Sequence, residues 1–511
     1  MTGNHRLQSA FVSCDSDNYA AIFKVSRLAA VHSARPSVIA QLCLKQAPVL
    51  SVVVLPPCLA SAVLGSWDLF AALAPQSVAL VTISVVVFRR PTPKFSRSIE
   101  AMVLFATLFL LACLISAPPF IVLGMSPLNA FFEATSGITS TGLSMSHDST
   151  EWPVAAHLLR GWLQWCGGFA LAFAGLTILH NHTSAMRKVG QSTLEERDKM
   201  TTMRKQAQIL LAFYVALTGI AVAGCFFLLP TWWEAVAVAL ASVSTGGFTP
   251  RADSLASYST IAQVFIMVIC IMGSVSFLFY VTFWRAGPQK ALASSHIALF
   301  VGLVCSGTVL YGVLTAFLFP SVDVTVMERS LNFVSGFTTA GFSVAPIASA
   351  PLLVVLLLVA MAIGGDTGSA SGGMKISRIA VAIQMVRLSF QRLLLPTHGV
   401  LHLRDLGKRQ TGEDITSVGA VLLLYIATVL LCWSLFLAAS QPALPALFEV
   451  VSAVSTVGLS SGITGPDLPP HLVAALTAAM LLGRLEFLAL IAIFLPKTWI
   501  RDRLPASKRS K

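Results

Sequence analysis

Charge is the scarcest feature of this sequence. Of 511 residues, 11% are charged, against roughly a quarter in an average soluble domain. A soluble globule of this size needs a far more polar surface, so that class is excluded. A secretory leader is not visible either. Residues 1–46 are mixed and basic, with no clean apolar core before a small-residue cleavage site. Paired cysteines are also missing. The nine cysteines (Cys14, Cys43, Cys58, Cys113, Cys166, Cys225, Cys270, Cys305 and Cys432) include no CxxC pair, and most lie in apolar runs. They read as small buried apolar residues, not disulfides or metal ligands. The ten histidines lie at ends or in loops with no HExxH stretch or nucleophile–base pairing, so an enzyme is not expected.

What is abundant is apolar. Hydrophobic residues make up 56% of the chain, and mean hydropathy is +0.79. A bilayer-spanning helix needs about 20 such residues. Ten segments qualify: 47–66, 69–88, 99–123, 157–179, 208–230, 260–284, 294–319, 352–395, 415–438 and 471–495. The eighth is too long and is interrupted by Gly and Ser. The expected class is an all-α polytopic membrane protein.

The net charge of +12 is an orientation signal. Of the 34 Lys and Arg residues, 28 fall in the N-terminal segment, on alternate connections and in the tail. The opposite connections hold only Arg160, Arg251 and Arg329. The positive-inside rule puts both termini and the basic loops in the cytoplasm. Anionic membrane lipid is a natural partner for these charges; nucleic acid is not expected.

Four connections on the other side each carry a short apolar stretch of about ten residues. A Ser/Thr/Gly cluster follows each one. The clusters align on Gly142, Gly247, Gly341 and Gly458. Three positions earlier stand Thr139, Ser244, Thr338 and Ser455; two earlier, Ser140, Thr245, Thr339 and Thr456. Two later stand Ser144, Thr249, Ser343 and Ser460, so every residue in these three columns carries a hydroxyl. Immediately before the glycine come Thr141, Gly246, Ala340 and Val457, and after it Leu143, Phe248, Phe342 and Leu459. Such a fixed pattern signals an internal repeat: helix, re-entrant helix, polar loop, helix.

A ten-residue helix cannot cross a bilayer, and a polar loop with free carbonyls cannot face lipid. Four such loops around one axis can form a ring of carbonyls that replaces the hydration shell of a small cation. The expected ligands are the backbone carbonyls of residues 139–142, 244–247, 338–341 and 455–458, because the side chains just before the glycines vary. Glu133 and Glu449 lie nine residues before their glycines, and Glu234 and Glu328 thirteen before. These acids suit helix N-termini, or could concentrate cations at an outer mouth.

Residues 364–373 hold five glycines and two serines and cannot form a plain helix in lipid. The expectation is a gate below the filter, built from Gly364, Gly365, Asp366, Gly368, Ser369, Gly372, Gly373 and Lys375. Lys375 could close it electrostatically or snorkel to the cytoplasm. Arg484, a charge inside an apolar helix, could add a positive barrier, paired with Asp366 or Glu486. A rival reading is an ion-coupled secondary transporter of a small solute, which explains a broken helix but not four loops in register.

Three runs complete the pattern: Gln164-Trp165-Cys166-Gly167-Gly168, the stretch Gly364 to Lys375, and Gly483-Arg484-Leu485-Glu486. With the four loops, they make residues 47–500 resemble the membrane subunit of the Trk/Ktr/plant high-affinity potassium transporter superfamily. Two extra N-terminal helices make the chain more similar to the bacterial Trk branch. The resemblance implies potassium (K+) as transported ion at the loop residues, uptake across the cytoplasmic (inner) membrane, and a homodimer with a pore in each subunit. It also implies a cytosolic nucleotide-binding regulatory ring as partner, with NAD or ATP on that partner and not on this chain. In the plant relatives, serine at the first loop glycine goes with sodium preference, so Gly142 favours potassium. Asp366, Cys166 and the long N-terminal segment depart from the family pattern. The expected organisation is a cytoplasmic segment 1–46, two extra helices over 47–90, four repeats over 91–190, 191–290, 291–412 and 413–500, and a basic tail 501–511.

Overall fold

In a computed structural model of the chain, the residues described are 33–89, 98–146, 148–185, 194–318, 325–347, 350–394, 403–406 and 408–499. The tail 501–511 and much of the N-terminal segment lie outside them. The fold is helical, with one two-residue antiparallel ladder pairing Arg404–Asp405 with Lys408–Arg409. Among the described residues, five helices are long and apolar enough to cross a membrane, and three bent pairs bring the number to eight. Large apolar side chains stand on the outside, among them Val63, Phe88, Phe227 and Leu394. Water would punish such a surface; lipid does not.

Two expected single spans are broken. Thr260–Ser274 and Phe277–Ala286 meet at 79°, and Pro470–Arg484 and Leu488–Phe494 at 118°. The second break runs through Glu486 and Phe487, both at positive φ. The first break falls inside an apolar run, so hydropathy alone could not reveal it; the second falls at the charged residues Arg484 and Glu486. The expected eighth span divides into Pro351–Ile363 and Ile376–Leu393 around the glycine-rich run. Within 1–46, Pro36–Lys45 is a helix, held where Arg35 pairs with the buried Glu100 at 2.7 Å.

The four short helices are Pro127–Ile138, Trp232–Val243, Val326–Thr338 and Ala443–Val454, of 12, 12, 13 and 12 residues. Ser126, Thr231 and Thr325 cap the first three, each accepting a backbone N–H from inside the first turn. Pro442 precedes the fourth without a side-chain cap. Thr325 and Glu328 form a reciprocal capping box. Each helix runs into a left-handed residue two positions before the glycine: Ser140, Thr245, Thr339 and Thr456, at φ of 51°, 51°, 55° and 48°.

The ladder is tied to the helix Ile297–Leu318 by His296, whose Nε2 lies 3.2 Å from Asp405 Oδ2. The hydrogen bond to Asp405, and then its charge, raise the imidazole above its ordinary 6.5, against desolvation. A raised folded pKa means this tie contributes fully below about 6.5 and is lost as pH rises through the elevated value. Protection of the amides of 403–406 and 408–410, taken as the exchange rate relative to the intrinsic base-catalysed rate at each pH, should therefore be greater near pH 6 than near pH 9. Equal protection at both would show that the pair does not hold the ladder.

Candidate functional site

The four loops close on one another. A Cβ on Gly142 would stand under 3.0 Å from the Gly246 carbonyl oxygen, and one on Gly247 from that of Ala340. Likewise Gly341 faces the carbonyl of Val457, and Gly458 that of Thr141. The order is loop 1 to 2 to 3 to 4 and back to 1. Each glycine also holds a positive φ, of 97°, 78°, 73° and 96°. Only glycine meets both demands, since an L side chain is strained there and would strike its neighbour. Leu143, Phe248, Phe342 and Leu459 are buried behind the ring.

The hydroxyls serve the loops. Thr139, Ser244 and Thr338 donate back to the carbonyls of Thr135, Leu240 and Val334 at 2.7–2.9 Å. Ser455 Oγ meets the Tyr425 hydroxyl at 2.7 Å. Ser140 donates to Gln164 O at 2.9 Å. These bonds hold the loops, while Thr245 Oγ1 and Thr456 Oγ1 are buried without a hydrogen-bond partner.

The segment that follows each loop holds the next loop in the ring. From Val154–Ala185, Gln164 donates to the Gly246 carbonyl and accepts from Phe248 N at 3.2 Å. From Thr260–Ser274, Ser274 donates to Thr338 O at 2.9 Å. After the third loop, Gly373 N donates to Ser455 O at 3.0 Å. From Pro470–Arg484, Arg484 Nη2 donates to Ser140 Oγ at 3.1 Å. Glycine also lets these helices cross their own short helix. A Cβ on Gly167, Gly273 or Gly483 would strike the carbonyl of Ile138, Val243 or Val454. Two of the sequence runs thus gain a steric role.

The run 364–375 lies beneath the ring and plugs the break at residues 274–277. Asp366 N and Ala370 N donate to the carbonyls of Ser274 and Gly273, and Phe277 N donates to Gly368 O. These bonds satisfy a helix end that would otherwise be bare. Gly372 N donates to Thr339 Oγ1 at 2.7 Å. Ser369 Oγ and Ser371 Oγ meet at 2.7 Å, and Gly364 packs against Gly372 and Gly373, Gly365 against Ser371.

Two expectations change here. Arg484 pairs with neither Asp366 nor Glu486; its Nη1 donates to Ala370 O at 2.9 Å. Glu486 lies past the helix end, where the positive φ turns it to Arg378 at 2.6 Å. Asp366 instead accepts from Thr367 N. Lys375 does not snorkel; it is buried and its Nζ donates to Ser371 O.

Nor do the four acids form one outer ring. Glu234 and Glu328 occupy first turns. Glu133 and Glu449 sit in mid-helix, fully buried. Glu133 pairs with Arg160 at 3.0 Å, and Arg160 lies 3.9 Å from the Phe248 ring centroid. Glu449 accepts from Ser460, Ser461 and Thr464. Their position follows from function within the loop, since both reach over to the backbone three residues past the glycine.

An all-helical chain with several membrane-length apolar helices, whose four short helices lead into loops that close on one another, belongs to the class of polytopic membrane proteins. A model of the TrkH family, described as cation transport protein, matches residues 103–304 and 308–500, and the chain belongs to that family. The Trk system potassium uptake protein TrkI of Halomonas elongata is 27% identical over 446 residues, covering 82% of this chain and 86% of its own. The TrkH protein of Escherichia coli K12, of the same uptake system, is 25% identical over 388 residues, covering 73% and 79%. The crystal structure of the potassium transporter TrkH from Vibrio parahaemolyticus matches with a TM-score of 0.74 at 21% identity, covering 88% of this chain and 99% of that one. That match concerns the fold.

Proposed function

We propose that this protein carries potassium into the cell through the ring of loop carbonyls, with residues 139–142, 244–247, 338–341 and 455–458 as the filter. The observation that carries the reading is the closed ring, in which each glycine faces the next loop's carbonyl. Carbonyl dipoles crowded around one axis are a poor environment unless a cation sits among them. The segment Gly364–Lys375, with Arg484 beneath it, serves as the gate. Its hydrogen bonds to Thr339 and Ser455 couple it to the filter. The basic loops face the cytoplasm of an inner membrane, as their charge asymmetry favours. The relatives' names support potassium as the ion. A homodimer and a cytosolic ring carrying NAD or ATP complete the proposed assembly.

Rubidium uptake tests the reading, in cells that lack their own potassium uptake systems. Saturable uptake, competed by potassium more than by sodium, is the expected result. Absence of cation flux with a regulatory ring supplied, alongside saturable uptake of an organic solute, would overturn it for the secondary-transporter reading.

A further inference from the structure

Loop 2 is built differently from the other three. In loops 1, 3 and 4 the side chain nine positions before the glycine braces the backbone three positions after it. Glu133 accepts from Met145 N at 3.1 Å, Asn332 from Val344 N at 2.8 Å, and Glu449 from Ser461 N at 2.7 Å. The corresponding residues in loop 2 are Val238 and Pro250. One has no acceptor and the other no N–H. A second brace, made in loops 1 and 4 while Ser335 of loop 3 has no hydrogen-bond partner, is absent as well. Ser136 and Ser452, six before their glycines, accept from Gly142 N and Gly458 N at 3.0 and 3.1 Å. Loop 2 has Ala241 there.

Gln164 stands in for what is missing. It is fully buried and arrives from the helix after loop 1. Its Oε1 accepts from Phe248 N, one position past the glycine, and its Nε2 donates to Gly246 O, one position before it. That amide orientation is the one that satisfies both backbone groups. A third departure then has a cause. Position 246 is glycine where the other loops carry Thr141, Ala340 and Val457, because a Cβ there would lie under 3.0 Å from Gln164 Cδ. Among the described residues, the carbonyls of Thr141, Ala340 and Val457 accept no hydrogen bond. In the row immediately before the glycines, Gly246 is the carbonyl that shares its lone pairs with a donor; Thr338 O and Ser455 O, which accept from Ser274 and Gly373, stand two rows earlier.

We propose that Gln164 is a positioning residue that fixes the second loop and tempers its carbonyl, so that discrimination between potassium and sodium depends on it. The inference rests on the filter reading above. Holding one carbonyl from behind restrains its approach to a smaller ion, and drawing on its lone pair weakens its field; selectivity depends on both quantities.

The test is rubidium uptake with sodium or potassium as competitor, using purified full-length protein in lipid vesicles. Gln164→Met removes both bonds at similar volume. It should lower the preference for potassium over sodium by about fivefold, the worth of the one hydrogen bond that acts on a ring carbonyl. Gln164→Glu keeps an acceptor for Phe248 N and loses the donor to Gly246. It should shift the preference too, and it serves if the Met variant does not accumulate. Adding Val238→Asn and Pro250→Ala to the Met variant rebuilds the brace of loop 3 inside loop 2 and should recover part of the preference. A merely structural role would change yield and leave the ratio alone. A wild-type ratio in Gln164→Met and Gln164→Glu overturns the proposal while the filter reading stands. Absence of selective flux in the wild type with a regulatory ring supplied overturns the filter reading itself.

Discussion

Gly341→Ser should lose rubidium uptake by about tenfold or more, while Gly65→Ser keeps it. Both glycines hold nearly the same backbone, at φ +73° and +72°. Any L residue there costs about 1–2 kcal/mol, and this strain is common to both. Their surroundings differ. A Cβ at Gly65 meets nothing within 4 Å, whereas one at Gly341 collides with the Val457 carbonyl oxygen and lies 3.1 Å from Gly458 Cα. Loop 4 must therefore retreat, and its carbonyl leaves the ring. A loss of 1.4 kcal/mol of ion stabilisation is already about tenfold. Uptake per molecule in the membrane, normalised by immunoblot, separates transport from folding. Equal loss in both variants would mean that backbone strain alone matters, and the ring would lose its support. Residual flux that has become sodium-permeable would place the damage in the filter, as the geometry requires.

The ring was legible in the sequence because its constraints are local. A positive φ two positions before the glycine and a second at the glycine itself demand particular residue types, and these recur in four columns. The length of the short helices was legible too, since an apolar run of about twelve residues cannot span lipid. What was not legible depends on residues far apart. Arg484 donates to Ala370 and Ser140, at separations of 114 and 344 residues, whereas a charge in an apolar run first suggests an acid as its partner. Glu133 and Glu449 were visible as a matched pair, but their target lies beyond the loop and becomes apparent only once the chain folds back. The signal for Gln164 was present in what loop 2 lacks: Val238, Ala241 and Pro250 together break the pattern that the other loops keep.

The gate makes the second strong prediction. Gly372 has an ordinary backbone, so replacing it with alanine adds no φ strain. The added Cβ would, however, collide with Ser455 O and Thr456 Oγ1. Either the gate segment or the filter has to move. The gate segment has no helical ladder of its own, whereas loop 4 is held by Glu449, Ser452 and Tyr425, so the gate should yield. It would then forfeit two bonds, Gly372 N to Thr339 Oγ1 and Gly373 N to Ser455 O. At about 1 kcal/mol each, the arrangement weakens by about 2 kcal/mol; with that arrangement as the closed state of the proposed gate, the balance shifts toward open by roughly 30-fold. Vesicles holding Gly372→Ala protein without a regulatory partner should leak rubidium faster by up to that factor, with potassium still preferred over sodium. Gly419→Ala, whose Cβ meets nothing within 4 Å, should leave the leak unchanged. A leak that has lost its preference would mean that the filter gave way instead, and an unchanged or slower leak would show that this segment does not close the path.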